Sequence, residues 1–169
     1  MNSESAILGA NILIVDDNLP NVLLLEAFLT AVGYTQLTST QNSEDVCLLH
    51  QTHPYDLILL DLKMPVMDGF AVMETLKALK IHQNDTDLPV IVLTAEPAHR
   101  LRALKAGAKD FISKPFDLAE IRTRIYAMLE VQLLHEKPSR YSPLPEQNIG
   151  IENPSSIATG GAKLRTSGP

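Results

Sequence analysis

An α/β domain built on a parallel sheet, with helices on both of its sides, is the fold this sequence predicts. Three observations predict it. Five short apolar runs, most of them rich in β-branched residues, are strung between Ile12 and Ile112. Segments with apolar residues at helical spacing separate them, which argues for βαβ units. The runs are apolar at successive positions, so both faces of each strand need cover, as in a buried parallel sheet.

The elements follow in order. Ile12–Val15 is the first strand. Asn18 is a cap candidate, Pro20 suits a first helical turn, and Val22, Leu25, Phe28, Leu29 and Val32 repeat at helical spacing until Gly33 stops them. Leu37–Thr40 is a weaker strand. Ser43, Asp45 and Val46 open a second helix that ends before Pro54. Asp56–Leu60 is the third strand, and Asp68-Gly69 precedes a helix through Leu79. Leu88–Leu93 is the fourth strand, followed by a helix over Pro97–Lys105 that Gly107 closes. Phe111-Ile112 is a short fifth strand. A last helix runs from Phe116 to about Glu136, with Leu118, Ile121, Ile125, Met128 and Leu129 on one side.

Composition sets the boundaries and excludes some functions. The 169 residues carry 14 Lys and Arg against 20 Asp and Glu, a formal charge of -6. That balance disfavours nucleic acid or an anionic membrane as a direct partner. Residues 137–169 hold five Pro, four Gly and five Ser, with Tyr141 as their one aromatic. They read as a flexible low-complexity tail. Residues 1–10 read as a short loose lead-in, which leaves 11–136 as the folded domain. Met1–Ala10 has Glu4 and no Lys or Arg, unlike the basic start of a signal peptide. The apolar runs are too short to cross a bilayer, and one cysteine allows no internal disulfide. A cytoplasmic location is expected.

Ligands of open parallel sheets bind beyond the carboxyl ends of the strands. There the sequence places Asp16 and Asp17 after the first strand, Asp61 after the third and Thr94 after the fourth. Lys114 follows the fifth. Three crowded carboxylates repel one another unless a cation sits among them. Hard oxygen ligands suit Mg²⁺, which keeps waters free for phosphoryl oxygens. Thr94 and Lys114 would hold two further phosphoryl oxygens, and Asp61 would be the nucleophile that forms an aspartyl-phosphate.

Ile12-Leu13-Ile14-Val15-Asp16-Asp17, Asp61-Leu62-Lys63-Met64-Pro65 with Asp68-Gly69, Val92-Leu93-Thr94-Ala95 and Lys114-Pro115-Phe116 together resemble the receiver domain of two-component response regulators. The resemblance spans about residues 10–135. It implies a flavodoxin-like (βα)5 fold with strand order 2-1-3-4-5. It implies that Asp61 accepts a phosphoryl group from a phosphohistidine on a sensor histidine kinase or histidine phosphotransfer protein. Mg²⁺ would sit on Asp16, Asp17, Asp61 and the main-chain carbonyl of Lys63. Thr94 and Phe111 would be the switch residues, coupling the phosphoryl group to the fourth helix, the fifth strand and the fifth helix. That face would bind a downstream protein, or a second copy of the chain on activation, through exposed residues such as Lys105, Arg122 and Arg124. The resemblance also implies a cis peptide bond between Lys114 and Pro115. The chain would be no enzyme beyond its own phosphoryl transfer and dephosphorylation.

Some positions depart from the pattern or stay open. Phe111 lacks the hydroxyl of the commoner tyrosine, so it either swings between surface and interior or is a fixed core ring. Lys63 and Glu96 either pair across the site or stand as two solvated charges. Cys47, His50 and His53 suggest a metal spacing, but positions i, i+3 and i+6 do not share one helical face. Met64, Met67 and Met73 read as packing around the loop and the third helix. An alternative function is an Asp-nucleophile, Mg²⁺-dependent phosphohydrolase. The haloacid-dehalogenase family places its acid two residues after the nucleophile, where this chain has Lys63. A further alternative is the receiver end of a longer regulator with a cyclic-dinucleotide output domain.

Overall fold

A computed structural model describes residues 2–83 and 88–136. The predicted tail, 137–169, lies outside the described residues. Five strands form one parallel sheet: β1 (Asn11–Val15), β2 (Gln36–Thr40), β3 (Leu57–Asp61), β4 (Val90–Thr94) and β5 (Asp110–Ser113). Their order is β2-β1-β3-β4-β5, and every pairing is parallel. The helices between them are α2 (Leu19–Ala31), α3 (Asp45–Thr52), α4 (Gly69–Gln83), α5 (His99–Lys105) and α6 (Leu118–Glu136). This is the flavodoxin-like (βα)5 fold that the sequence predicts.

The alternation of strand side chains splits the core into two layers. Leu13, Val15, Ile58, Leu60, Val90 and Val92 face α3, α4 and α5, where they meet Val46, Val72, Met73 and Ala103. Ile12, Ile14, Leu57, Leu59, Ile91 and Leu93 face α2 and α6, where they meet Leu25, Leu29, Ile121 and Ile125. All residues of β3 and β4 are buried. Each large side chain withdrawn from water contributes about 1.5–3 kcal/mol, before the entropy of ordering it.

Local signals act as expected at several ends. The Asn18 side chain accepts a hydrogen bond from the Asn21 N–H, with proline in the first turn of α2. Gly33, at φ 107°, ends that helix in the left-handed region. Asp117 caps α6 by accepting from the N–H groups of Ala119 and Glu120, so this helix starts two residues later than the sequence predicts. Met64 and Met73 are buried, and Met67 packs on the same layer.

The lead-in is a correction. Residues 1–10 read as loose, yet Ser3–Leu8 forms a helix, α1, whose Ile7 is 2% exposed. Ile7 joins the layer beneath α6, and the Leu8 carbonyl accepts from the Thr35 N–H at 3.2 Å. Six residues are too few to show a period, and so short a helix is marginal without tertiary packing.

Candidate phosphoacceptor site

The carboxyl ends of β1, β3 and β4 and the loop after β5 meet at one rim. Asp16 is fully buried, Asp61 and Thr94 are 5% exposed, and Asp17 is exposed. Asp16, Asp17 and Asp61 each offer an oxygen, all within 4.8 Å of one another. The Lys114 ammonium reaches Asp16 Oδ2 at 2.9 Å and Asp61 Oδ1 at 3.2 Å. The Lys63 N–H points at Asp61 Oδ1 from 3.4 Å. The Lys114–Pro115 peptide is cis.

Two neighbours of Asp16 escaped the sequence reading. The Asn18 N–H donates to Oδ1 at 2.9 Å, and Asn21 Nδ2 donates to Oδ2 at 3.1 Å. They fix the buried carboxylate from the first turn of α2. Asn21 stands one turn past the cap, a position that carried no chemical signal in the sequence.

The loop after β3 is shaped by two unusual backbones. A Cβ on Gly69 would lie 2.5 Å from the Asp61 carbonyl oxygen and 2.9 Å from Leu62 Cα. Only glycine lets α4 begin so close to the end of β3. Val66 sits at φ 69° and is 87% exposed, while Met67 N–H donates back to the Pro65 carbonyl at 2.8 Å. That is a tight three-residue turn with positive φ at its centre.

Electrostatics follow from burial. Desolvation pushes the Asp61 carboxyl from 3.8 up to about 6; Lys114 opposes the rise, and Asp16 adds to it. Burial works against the Lys114 ammonium, but the Asp16 hydrogen bond and the charges of Asp61 and Asp16 hold its pKa above the usual value. Two buried carboxylates and a third beside them are a donor set for a hard divalent cation, so the residues fit Mg²⁺. A bound cation competes with the proton on Asp61. Mg²⁺ affinity is therefore expected to level off above about pH 7 and to fall roughly tenfold per unit below about pH 6. Titration calorimetry at pH 5, 6 and 7.5 checks this; equal affinities at all three would contradict it.

Around the rim, Lys63 and Glu96 pair, and His99 Nε2 approaches Glu96 Oε2 at 3.1 Å. Both charges of the Lys63–Glu96 pair are well exposed, so the pairing itself contributes little. The Thr94 hydroxyl accepts from the Glu96 N–H at 3.0 Å and is held by its own loop. Phe111 is half-buried, with the Arg100 guanidinium 4.4 Å and that of Arg124 5.6 Å from the ring centroid. Arg124 is no freely exposed partner contact: it is bound to Asp110 by two bonds of 2.8 Å and to Glu120 by a third. Lys105 and Arg122 are exposed. Among the described residues, the acidic trio is the one group that gathers as metal ligands; Cys47, His50 and His53 do not. The Cys47 thiol is half-buried and pushed up by that burial.

The model of the response regulator receiver domain family matches residues 12–126. The chain belongs to that family. A receiver is a signalling domain. Two curated relatives are probable transcriptional regulators ycf27. That of Guillardia theta is 38% identical over 120 residues, covering 70% of this chain and 44% of the relative. That of Porphyra purpurea is 32% identical over 157 residues, covering 92% and 58%. This receiver thus spans about half the length of those relatives. Their description as transcriptional regulators leaves the expectation of no nucleic-acid contact without support. Among solved structures, the receiver domain of sensor histidine kinase PA1611 from Pseudomonas aeruginosa PAO1, with a magnesium ion in its active site cleft, is 31% identical. Its TM-score is 0.63, and the match covers 72% of this chain and 98% of that one. No helix among the described residues is long and apolar enough to cross a membrane.

Proposed function

We propose that this receiver is a cytoplasmic phosphorylation switch in which Asp61 accepts a phosphoryl group from a phosphohistidine donor. The observation that carries the reading is the trio of carboxylates within 4.8 Å with the Lys114 ammonium against two of them. Mg²⁺ on Asp16, Asp17, Asp61 and the Lys63 carbonyl would offset charge on the transferring group. The donor's P–N bond breaks as a P–O bond to the Asp61 carboxylate forms, and the imidazole leaves with the electron pair. Attack of water on phosphorus later returns phosphate and the free carboxylate. Near pH 7 most Asp61 is ionised and able to attack, because its pKa lies near 6.

The surroundings favour a protein donor. Leu19 and Leu23 are 47% and 55% exposed on α2, and Val66 stands on the loop after β3. An acidic cup with apolar residues about it suits an apolar helical surface that presents a phosphohistidine. A phosphohydrolase is disfavoured by Lys63, whose ammonium is engaged by Glu96 where a carboxylic acid would be needed. The output runs through Thr94 and Phe111 to α5, β5 and α6, where Leu101, Leu104 and Lys105 are exposed to a protein partner.

The test is incubation with acetyl phosphate. With Mg²⁺, intact-mass measurement should show one added phosphoryl group, removed by hydroxylamine as an acyl phosphate is. With EDTA the addition should disappear. Labelling that is indifferent to EDTA, or resistant to hydroxylamine, would sink the assignment.

A further inference from the structure

The pairing of β4 with β5 sets Val92 beside Phe111 and Thr94 beside Ser113. With side chains alternating along each strand, these four lie on one face of the sheet, the face beneath α5. Phe111 packs against the apolar layer there. Arg100, in the first turn of α5, reaches the same face. Its guanidinium carbon lies 4.4 Å from the Phe111 centroid, and its Nη2 donates to Ser113 Oγ at 2.6 Å. One side chain therefore touches both the switch ring and the residue paired with Thr94.

We infer that Arg100 is a positioning residue that latches Phe111 in its resting place and couples the ring to Thr94 through Ser113. This rests on the switch reading above. Phe111 cannot turn beneath β4 without leaving the guanidinium, so the cation–π contact opposes the turn. When Thr94 moves toward a phosphoryl oxygen, its hydroxyl leaves the Glu96 N–H and its strand partner Ser113, which holds the other end of Arg100, feels the shift. Once the ring departs, Arg100 keeps only its bond to Ser113. Its Nε is buried without a partner, an arrangement that solvent would relieve. Arg124 does not share the role. Its Nη1 is bound to Asp110 and its Nε to Glu120, and neither bond depends on the ring.

The latch is testable on the whole chain. Its four phenylalanines can be replaced by 4-fluorophenylalanine, with the Phe111 fluorine resonance assigned through Phe111→Leu. Mg²⁺ with beryllofluoride, a phosphoryl mimic, should move that resonance in the otherwise unaltered chain. Arg100→Ala should move the ligand-free resonance part of the way to the same position. It should also tighten beryllofluoride by about two- to five-fold, the reciprocal of a lost surface cation–π contact. Pentafluorophenylalanine placed at 111 alone, which weakens the ring's negative face and leaves Arg100 intact, should tighten beryllofluoride in the same direction. It keeps the test open should Arg100→Ala fail to fold. Arg100→Lys should fall between. If beryllofluoride moves the resonance but both the Arg100 variants and the fluorinated ring bind it as the parent does, the latch is wrong and the switch stands. If beryllofluoride leaves the parent resonance in place, the switch reading fails and takes the latch with it.

Discussion

Asp61→Asn is expected to abolish phosphoryl acceptance and, in the same protein, to stabilise the metal-free domain at neutral pH. The first effect follows from loss of the nucleophile, and incorporation from acetyl phosphate should drop by roughly 10³-fold or more. The second follows from the cost of keeping that nucleophile charged. Burial raises the Asp61 carboxyl from 3.8 to about 6. A group whose folded pKa is raised contributes full stability below its unfolded pKa and loses it as pH rises through the folded one. The metal-free domain should thus lose on the order of 3 kcal/mol between about pH 4 and pH 6–7. Asparagine keeps an oxygen for the Lys63 N–H without the charge. Denaturant unfolding in EDTA should show Asp61→Asn about 1–3 kcal/mol more stable at pH 7.5, with the gap closing toward pH 4. An asparagine variant that is less stable at pH 7.5 would contradict this account of the site.

Lys114→Met should have the opposite sign. It removes the cation that bridges Asp16 and Asp61 and leaves two buried carboxylates facing each other. Asp16 retains the Asn18 N–H and the Asn21 amide, which limits the damage. A loss of about 2–4 kcal/mol is expected without metal at pH 7.5. Saturating Mg²⁺ should recover much of it, because the ion supplies the missing positive charge and binds only the folded state. Phosphoryl uptake should stay about 10²-fold low even with Mg²⁺ if, as proposed, the lysine also stabilises the transferring group. Thermal melts of the variant with and without Mg²⁺ measure the first effect. A melt that does not respond to the metal would show that Lys114 is not what balances the trio.

The strands were legible because burial on both faces leaves a strong mark: Leu57-Ile58-Leu59-Leu60 admits little else. The rim was legible because a parallel sheet delivers every strand end to one edge, so Asp16, Asp61 and Thr94 needed only correct strand limits to meet there. What the sequence hid is held together by contacts between distant segments. The helix at Ser3–Leu8 depends on α6 and on Thr35 rather than on its own six residues. Arg124 read as a surface charge because its partner Asp110 is 14 positions away. Arg100 gave no hint of Ser113 and Phe111, which reach it across a turn of loop and strand. Side-chain pairing of this kind leaves no period to count.

The turn at Val66 has a consequence for engineering. A β-branched residue in the left-handed region costs roughly 1–2 kcal/mol. At 87% exposure, packing returns almost nothing. Glycine would accept the same backbone with less strain, without disturbing Asp16, Asp17, Asp61 or either core layer. Position 66 is therefore where thermal tolerance can be raised at the expense of one apolar residue on the proposed donor surface, and a library aimed at hardiness should be screened there for uptake from a protein donor as well as for stability.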